Sequence, residues 1–212
     1  MAAFLQINNA DARLADWAAE NTPIFGSRAV ASRASDHLNR AAICGYLLSA
    51  LAAPSGKDAD DWLVNKAKGL AVGAAAGGLT NGSVQLLKEG THRKRPDGSD
   101  EMSFPSSHAA NAAVFATLAA RNTRVLPVSP ALRTALDVAY AATAVSCAWA
   151  RVEGRNHFPS DVLAGLSLGH FLGALVNDAF LGLSPSEEGT VGMAVDREGV
   201  AIWVNLRSTQ SD

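Results

Sequence analysis

Apolar residues recur along most of this chain at the three- to four-residue spacing of amphipathic helices. Proline breaks the pattern, most clearly at Pro54, Pro127 and Pro130, and so separates one helix from the next. The predicted helices comprise residues 11–20, 36–53, 58–87, 106–121, 131–151 and 159–181. This succession predicts the all-α fold class, a helical bundle of about five to six helices.

The last part of the chain follows a different pattern. Between residues 190 and 207, apolar side chains alternate with others around a turn at residues 196–199, which predicts a short C-terminal β-hairpin. A two-stranded hairpin needs a surface to dock on, so it covers the bundle or forms a subunit contact that would make an oligomer. We therefore expect a helical domain at residues 1–186 and an extension at 187–212, with the hairpin and a frayed end.

Three stretches without Asp, Glu, Lys or Arg approach the roughly 20 residues that span a bilayer: 69–87, 103–120 and 162–177. They are rich in small residues, and the mean hydropathy of the chain is +0.08, which favours a soluble or peripheral protein. Membrane bundles also place small residues where helices meet, so an integral inner-membrane protein with its site on the outer face is the alternative. The residues after Met1 show no basic region and no long apolar run, so no signal peptide is predicted and the cytosol is the default location.

Charge and cysteine content exclude several classes of protein. The net charge is −2, so no overall basic field points to a nucleic-acid partner. Cys44 and Cys147 are too few and too far apart for a metal site. We interpret them as two buried small hydrophobic residues, with a disulfide as the alternative. We interpret His92 as a solvated loop residue and His170, on an apolar helix, as a core histidine, and His37 has no partner pattern that indicates chemistry.

Three polar segments carry the candidate chemistry. The first contains Lys88 and Arg95-Pro96, and its two cations are two helical turns apart if the helix continues through them. An ammonium and a guanidinium directed at one point suit the oxygens of a phosphate. Taken alone, the segment is better explained as a solvated basic loop after a helix C-terminus.

The second segment, residues 105–108, opens a helix. The hydroxyls of Ser106 and Ser107 and the first free N–H groups meet at the helix N-terminus, which attracts anions. His108 in the first turn would reach the leaving-group oxygen of a bound phosphate ester. The alternative is an ordinary N-cap.

The third segment joins two helices, since Arg151 ends one and His157 precedes the next. Pro159 makes Phe158 the expected N-cap, so Asp161 falls in the first turn. Its carboxylate would hold one imidazole nitrogen of His157 and leave the other free to attack. The alternative is a carboxylate at a helix dipole and a solvated histidine. Together the three segments supply the cations, histidines, hydroxyl and carboxylate needed to move a phosphoryl group without a metal.

In this order and spacing, the three segments resemble the signature of the type 2 phosphatidic acid phosphatase superfamily. That superfamily also includes bacterial non-specific acid phosphatases and vanadium-dependent haloperoxidases. The first segment matches in full, whereas Ser107 stands where the family usually has glycine and Ala150 replaces the usual serine before Arg151. The resemblance spans residues 88–161 and implies a helical bundle with the site at one end.

The resemblance also implies a role for each site residue. His157 attacks phosphorus and forms a phosphohistidine, Asp161 orients it, and His108 protonates the leaving alcohol before it activates water. The equatorial oxygens are held by Lys88, Arg95, Arg151, Ser106 and the N–H of Ser107. The residues by themselves do not say which histidine attacks.

The leading hypothesis is a metal-independent, vanadate-sensitive hydrolase, either an acid phosphatase or a phosphatidic acid phosphatase-like enzyme. Its substrate would be a phosphomonoester or a lipid phosphate or diphosphate, and it would need no cofactor. One alternative is a haloperoxidase, in which the pocket holds vanadate bound to His157. The other is a non-catalytic anion-binding protein, with Ser107 and Ala150 as signs of lost activity.

Overall fold

The computed structural model describes residues 9–56 and 58–181, and the backbone of two strands further along the chain. The helices of this part are α1 at Ala10–Asn21, α2 at Arg28–Ala52, α3 at Ala59–Thr91, α4 at Ser107–Arg124, α5 at Pro130–Glu153 and α6 at Pro159–Leu181. The prediction of an all-α bundle with five to six helices is therefore confirmed for the described residues.

Local capping explains where the helices begin and end. Ser27 starts α2 earlier than the predicted residue 36, because its hydroxyl accepts the N–H of Val30 at 3.3 Å. Ser106 caps α4 as predicted, since its hydroxyl accepts the N–H of Ala109 at 3.4 Å. At the end of α3, His92 adopts the left-handed conformation with φ 45° and closes the helix.

Beyond the helices, β1 at Thr190–Asp196 and β2 at Gly199–Asn205 pair antiparallel. Their side chains and residues 206–212 lie outside the described part of the chain. The hairpin's role as a cover or a subunit contact, the frayed end and the domain boundary at residue 186 therefore stay predictions.

Helix α4 lies at the centre of the bundle and packs against α2, α3, α5 and α6. Most of its buried side chains are alanine, so its neighbours approach closely, and the larger Val114 and Leu118 fill the space towards α3 and α6. Small side chains on a central helix bring backbones together, which is how this sequence forms a compact core with few large apolar residues.

The contact between α4 and α6 is the tightest place in the bundle. A Cβ atom on Gly169 would lie 2.1 Å from the carbonyl oxygen of Ala110, and one on Gly165 would lie 2.5 Å from that of Ser106. Only glycine fits there, so the two helices are held in one register. Their N-terminal ends consequently lie side by side, with the N–H of Ser106 donating to the carbonyl of Asp161 at 3.0 Å.

The glycines of α3 divide into two groups. A Cβ atom on Gly73 would lie 2.1 Å from the Tyr46 hydroxyl oxygen, so a side chain there would have to displace the tyrosine. Gly78 and Gly82 would meet nothing within 4 Å. Close helix contact therefore occurs at Gly73 and not at Gly78 or Gly82.

Large apolar side chains cover much of the outer surface. Leu86 is 72% exposed and Leu48 is 67% exposed, and others are distributed over the same helices and over α5 and α6. Among the described residues, α6 is the helix long and apolar enough by composition to cross a membrane. Large contiguous apolar patches are rare on soluble monomers and mark contact with a membrane or a partner where they occur.

The α4–α6 contact makes a stability prediction. Gly169→Ala should lower the free energy of unfolding by about 1–3 kcal/mol, because the new methyl group must displace the Ala110 carbonyl. The matched control is Gly78→Ala, which meets open space and should be neutral or stabilising by up to about 1 kcal/mol through helix propensity. Thermal unfolding of both variants in one detergent provides the comparison, and equal melting temperatures would contradict the packing described.

Candidate active site

The site is built where four helices end on the same side of the bundle. Helices α3 and α5 finish there, while α4 and α6 begin there, because successive helices run antiparallel. Two loops, residues 92–106 and 154–158, close this end and carry most of the polar groups. All three polar segments of the sequence thus lie at one end of the bundle.

His157 is almost fully buried, with 2% of its surface exposed. Its Nδ1 atom lies 2.8 Å from the backbone carbonyl oxygen of Ser103. A carbonyl only accepts hydrogen bonds, so Nδ1 carries the proton and Nε2 has a free lone pair. Nε2 lies 3.2 Å from Nη1 of Arg95, a donor, which agrees with this tautomer.

Burial, together with the charges of Arg151 and Arg95, lowers the pKa of His157 from 6.5 to about 4, although Asp161 acts in the opposite direction. A histidine with a pKa near 4 is neutral at any pH above that value. The ring is therefore in the nucleophilic form over the whole physiological range.

Asp161 lies beside His157 but makes its shortest contacts elsewhere. Its Oδ2 atom is 3.7 Å from Nδ1 of His157, whereas it accepts the Ser103 hydroxyl at 2.5 Å and the Phe158 N–H at 2.9 Å. Burial raises the pKa of Asp161, but His157, these hydrogen bonds and the charge of Arg93 outweigh it and lower that pKa. Asp161 thus acts on His157 by its charge and through Ser103.

Ser103 is a site residue that the sequence did not indicate. Its carbonyl holds the His157 ring and its hydroxyl holds the Asp161 carboxylate, and Ser103 itself is fully buried. It lies in a loop with no recognisable pattern around it, so only the folded chain shows that it bridges these two residues.

Lys88 and Arg95 reach the site from different elements. Helix α3 ends at Thr91, so the two cations do not share a helix face and the condition set in the sequence analysis is not met. Lys88 is 5% exposed and donates to the Met102 carbonyl. Burial and the neighbouring charges of Arg95 and Arg151 lower its pKa to about 8, so it is still a cation at acidic pH.

Arg95 is fixed by contacts along the whole guanidinium. Its Nε donates to Asp100 at 2.7 Å, and Nη1 donates to the Asn156 carbonyl at 3.1 Å. Arg151 is held more loosely, since its Nη1 donates to Ser35 at 3.2 Å while its buried Nε has no partner among the described residues. A buried, unpartnered guanidinium N–H beside two other cations is suited to an anion.

His108 reaches the same end of the bundle from the first turn of α4. Its Nε2 atom lies 2.8 Å from Oδ1 of Asp36 on α2, a partner that the sequence did not indicate. Burial and the charge of Arg151 lower the pKa of His108 below 6.5, and Asp36 partly offsets them.

The two positions that depart from the family pattern lie at the start of α4 and the end of α5. Ser107 is the first residue of α4, next to the cap Ser106, and its side chain is half-buried. Ala150 is fully buried in the last turn of α5, beside Arg151. Neither substitution displaces a charged group of the site.

Both cysteines are free, so the disulfide alternative is wrong. Cys147 is buried, as expected, but Cys44 is exposed, which corrects the interpretation of that residue as a buried one. His170 lies on the outer part of α6, with Nδ1 at 2.9 Å from the Thr117 hydroxyl, and it does not belong to the site.

Comparison with known proteins agrees with this architecture. Residues 84–182 match the model of the PAP2 superfamily, and the match includes every predicted site residue. The fold is similar to the crystal structure of a transmembrane PAP2-type phosphatidylglycerolphosphate phosphatase from Bacillus subtilis. The TM-score is 0.61 at 24% identity, over 88% of this chain and 93% of that chain. No curated protein matches the sequence. The resemblance carried by the three segments is therefore confirmed.

Proposed function

We propose that this chain is a metal-independent phosphatase of lipid phosphates or diphosphates, with His157 as the nucleophile. The observation that carries the proposal is the state of His157, whose Nδ1 is engaged with the Ser103 carbonyl and whose Nε2 lone pair faces Arg95. Three cations next to a neutral imidazole suit a substrate that brings its own negative charge. The PAP2 match supports the same class of reaction.

In the proposed first step, Nε2 of His157 forms a bond to phosphorus while the bond from phosphorus to the ester oxygen breaks. His108 gives its proton to the departing alkoxide. In the second step, His108 takes a proton from water, the resulting hydroxide attacks phosphorus, and the phosphorus–nitrogen bond breaks. Phosphate leaves, and His157 is neutral again.

The cations have a separate task in this proposal. Lys88, Arg95 and Arg151 bind the equatorial oxygens, together with Ser106 and the N–H of Ser107 at the start of α4. Negative charge is greatest on these oxygens in the trigonal-bipyramidal transition state, so fixed donors lower the barrier. Arg95 already touches Nε2, which would place phosphorus and nucleophile within the same group of donors.

We infer a membrane location from the outer surface. No charged residue lies between Lys68 and Lys88 on α3, or between Asp161 and Asp178 on α6, and the helices between these ends expose leucine and phenylalanine. Lipid tails would cover this band, and a lipid headgroup would lie at the end of the bundle where the site opens. The expectation of a soluble protein finds no support in this surface.

The assay for the proposed function uses a phosphatidic acid in mixed micelles and an aryl phosphate, both with chelator present. Hydrolysis should persist with chelator, stop in His157→Ala, and be inhibited by vanadate, which imitates the transition state. Arg95→Ala should lower kcat by about 10²- to 10³-fold. His170→Ala, which changes a histidine outside the site, should leave the rate unchanged.

Three results would overturn this proposal. Full activity of His157→Ala would remove the nucleophile. A folded wild-type protein that binds phosphate without hydrolysing either ester would favour the anion-binding alternative. Halide oxidation that begins only when vanadate is added would favour the haloperoxidase.

The two histidines predict an acidic pH optimum. Activity should rise as pH increases through about 4, where His157 loses its proton. It should fall again as pH rises through the pKa of His108, which burial and Arg151 hold below the usual 6.5, because His108 then loses the proton it must donate. Asp36→Asn removes a carboxylate that raises the pKa of His108, so the alkaline limb should move to lower pH while the acid limb stays.

Profiles of kcat/KM against pH for the wild type, Asp36→Asn and the surface control Asp16→Asn provide this measurement. An alkaline limb that stays fixed in Asp36→Asn would mean that another group donates the proton.

The membrane location has its own test. After cell disruption, the chain should remain with membranes through a carbonate wash and enter solution only with detergent. Recovery in the soluble fraction without detergent would show that the apolar band is covered in another way.

A further inference from the structure

The N-terminal helix α1 reaches the site through one buried carboxylate. Asp11 is 3% exposed, which is unusual for an acidic residue in the first turn of a surface helix. Its Oδ1 atom accepts the N–H of Ser160 at 2.9 Å. Its Oδ2 atom accepts the Ser160 hydroxyl at 2.5 Å and Nη2 of Arg93 at 2.6 Å.

Arg93 continues this network to Asp161. Its Nη1 atom donates to Oδ1 of Asp161 at 2.6 Å and to the Ser160 hydroxyl at 2.7 Å, while the guanidinium lies over the Phe158 ring at 4.3 Å. One guanidinium thus joins two carboxylates, one from α1 and one from the candidate site. Arg93 is within the first polar segment, yet it is directed away from the cations that would bind phosphate.

We propose that Asp11 and Arg93 are positioning residues for the candidate site, so that α1 is part of its catalytic unit. This inference rests on the hydrolysis proposed above. Asp11 holds one end of the guanidinium, and the other end then occupies Oδ1 of Asp161. With Oδ1 occupied, Oδ2 is left to face Ser103 and His157, which fixes the ring that attacks phosphorus.

The network also sets the charge balance of the site. Arg93 without Asp11 would be a mobile fourth cation next to Lys88, Arg95 and Arg151. It would compete for the phosphate oxygens or turn to water, and Asp161 would lose its closest ion pair. Asp11 compensates this charge inside the protein, where a paired ion is stabilised and an unpaired one is not.

The two oxygens of Asp11 allow a positioning role to be separated from a structural one. Oδ1 satisfies the Ser160 N–H at the start of α6, and Oδ2 holds Arg93. In Asp11→Asn the amide oxygen can still accept from Ser160, but the NH₂ group cannot accept from Arg93. The substitution therefore removes both contacts of Oδ2, with Arg93 and with the Ser160 hydroxyl, and keeps the contact of Oδ1 with the Ser160 N–H. Arg93→Ala removes the link to the site while both contacts with α6 remain.

The matched control lies on the same helix. Asp16 is also an aspartate paired with an arginine, Arg155, at 2.9 Å, but its side chain is 51% exposed and it makes no contact with Ser160 or Arg93. Asp16→Asn therefore removes the same charge from α1 without touching the network.

The experiment is a double-mutant cycle on lipid phosphate hydrolysis. Asp11→Asn should lower kcat by at least about tenfold with KM within about twofold, because a displaced nucleophile loses rate while the phosphate-binding cations remain. Arg93→Ala should have a similar effect while both contacts between Asp11 and Ser160 remain. The kcat of the double variant should be no lower than that of Arg93→Ala alone. Asp11→Glu should recover part of the lost kcat, and Asp16→Asn should match the wild type.

Other outcomes would overturn the inference. If Asp11→Asn keeps the wild-type kcat, or if its loss multiplies with that of Arg93→Ala, then Asp11 acts on α6 alone. If Asp11→Asn does not fold, Arg93→Ala is the deciding variant. A wild-type kcat in Arg93→Ala would show that the ion pair between Arg93 and Asp161 does not position the site. Absence of hydrolysis by the folded wild type would instead refute the proposed function, and this inference with it.

Discussion

The arrangement of this site depends on the hydrogen bonds that Ser103 makes with His157 and Asp161. One residue of the α3–α4 loop holds the imidazole with its carbonyl and the carboxylate with its hydroxyl. These hydrogen bonds form because α4 and α6 approach so closely that only glycine fits at Gly165 and Gly169. Backbone packing in the core thus fixes the tautomer of a histidine at the end of the bundle.

The second constraint is electrostatic. Burial and the charge of Arg95 lower the pKa of both Lys88 and Arg151, and the charge of Arg151 lowers that of Lys88 further. Holding these cations together inside the protein therefore costs free energy. Carbonyl groups of Met102 and Asn156 and the carboxylate of Asp100 offset part of it. A dianionic phosphate would offset more, so binding of substrate would relieve an unfavourable arrangement that the fold holds in place. Arg93 is excluded from that group because two carboxylates already neutralise it.

Local features of this fold could be predicted from the sequence. The helices follow from apolar spacing, and the cap Ser106 and the start of α6 at Pro159 follow from short-range chemistry. The candidate site residues could be listed because three motifs carry them in order. Ser103, Arg93, Asp11 and Asp36 could not be found, because their partners lie 54 to 149 residues away in sequence and only packing brings them together. Helix α3 does not continue to Arg95, because the chain turns at His92.

The most direct test of the central claim is the detection of the covalent intermediate. Wild-type protein would be mixed with a lipid phosphate and quenched in alkali, in which phosphohistidine persists, and its peptides analysed by mass spectrometry. The account predicts one phosphate on the peptide that contains His157, and none in His157→Ala. Phosphate on a different side chain, or turnover by His157→Ala at the wild-type rate, would contradict it.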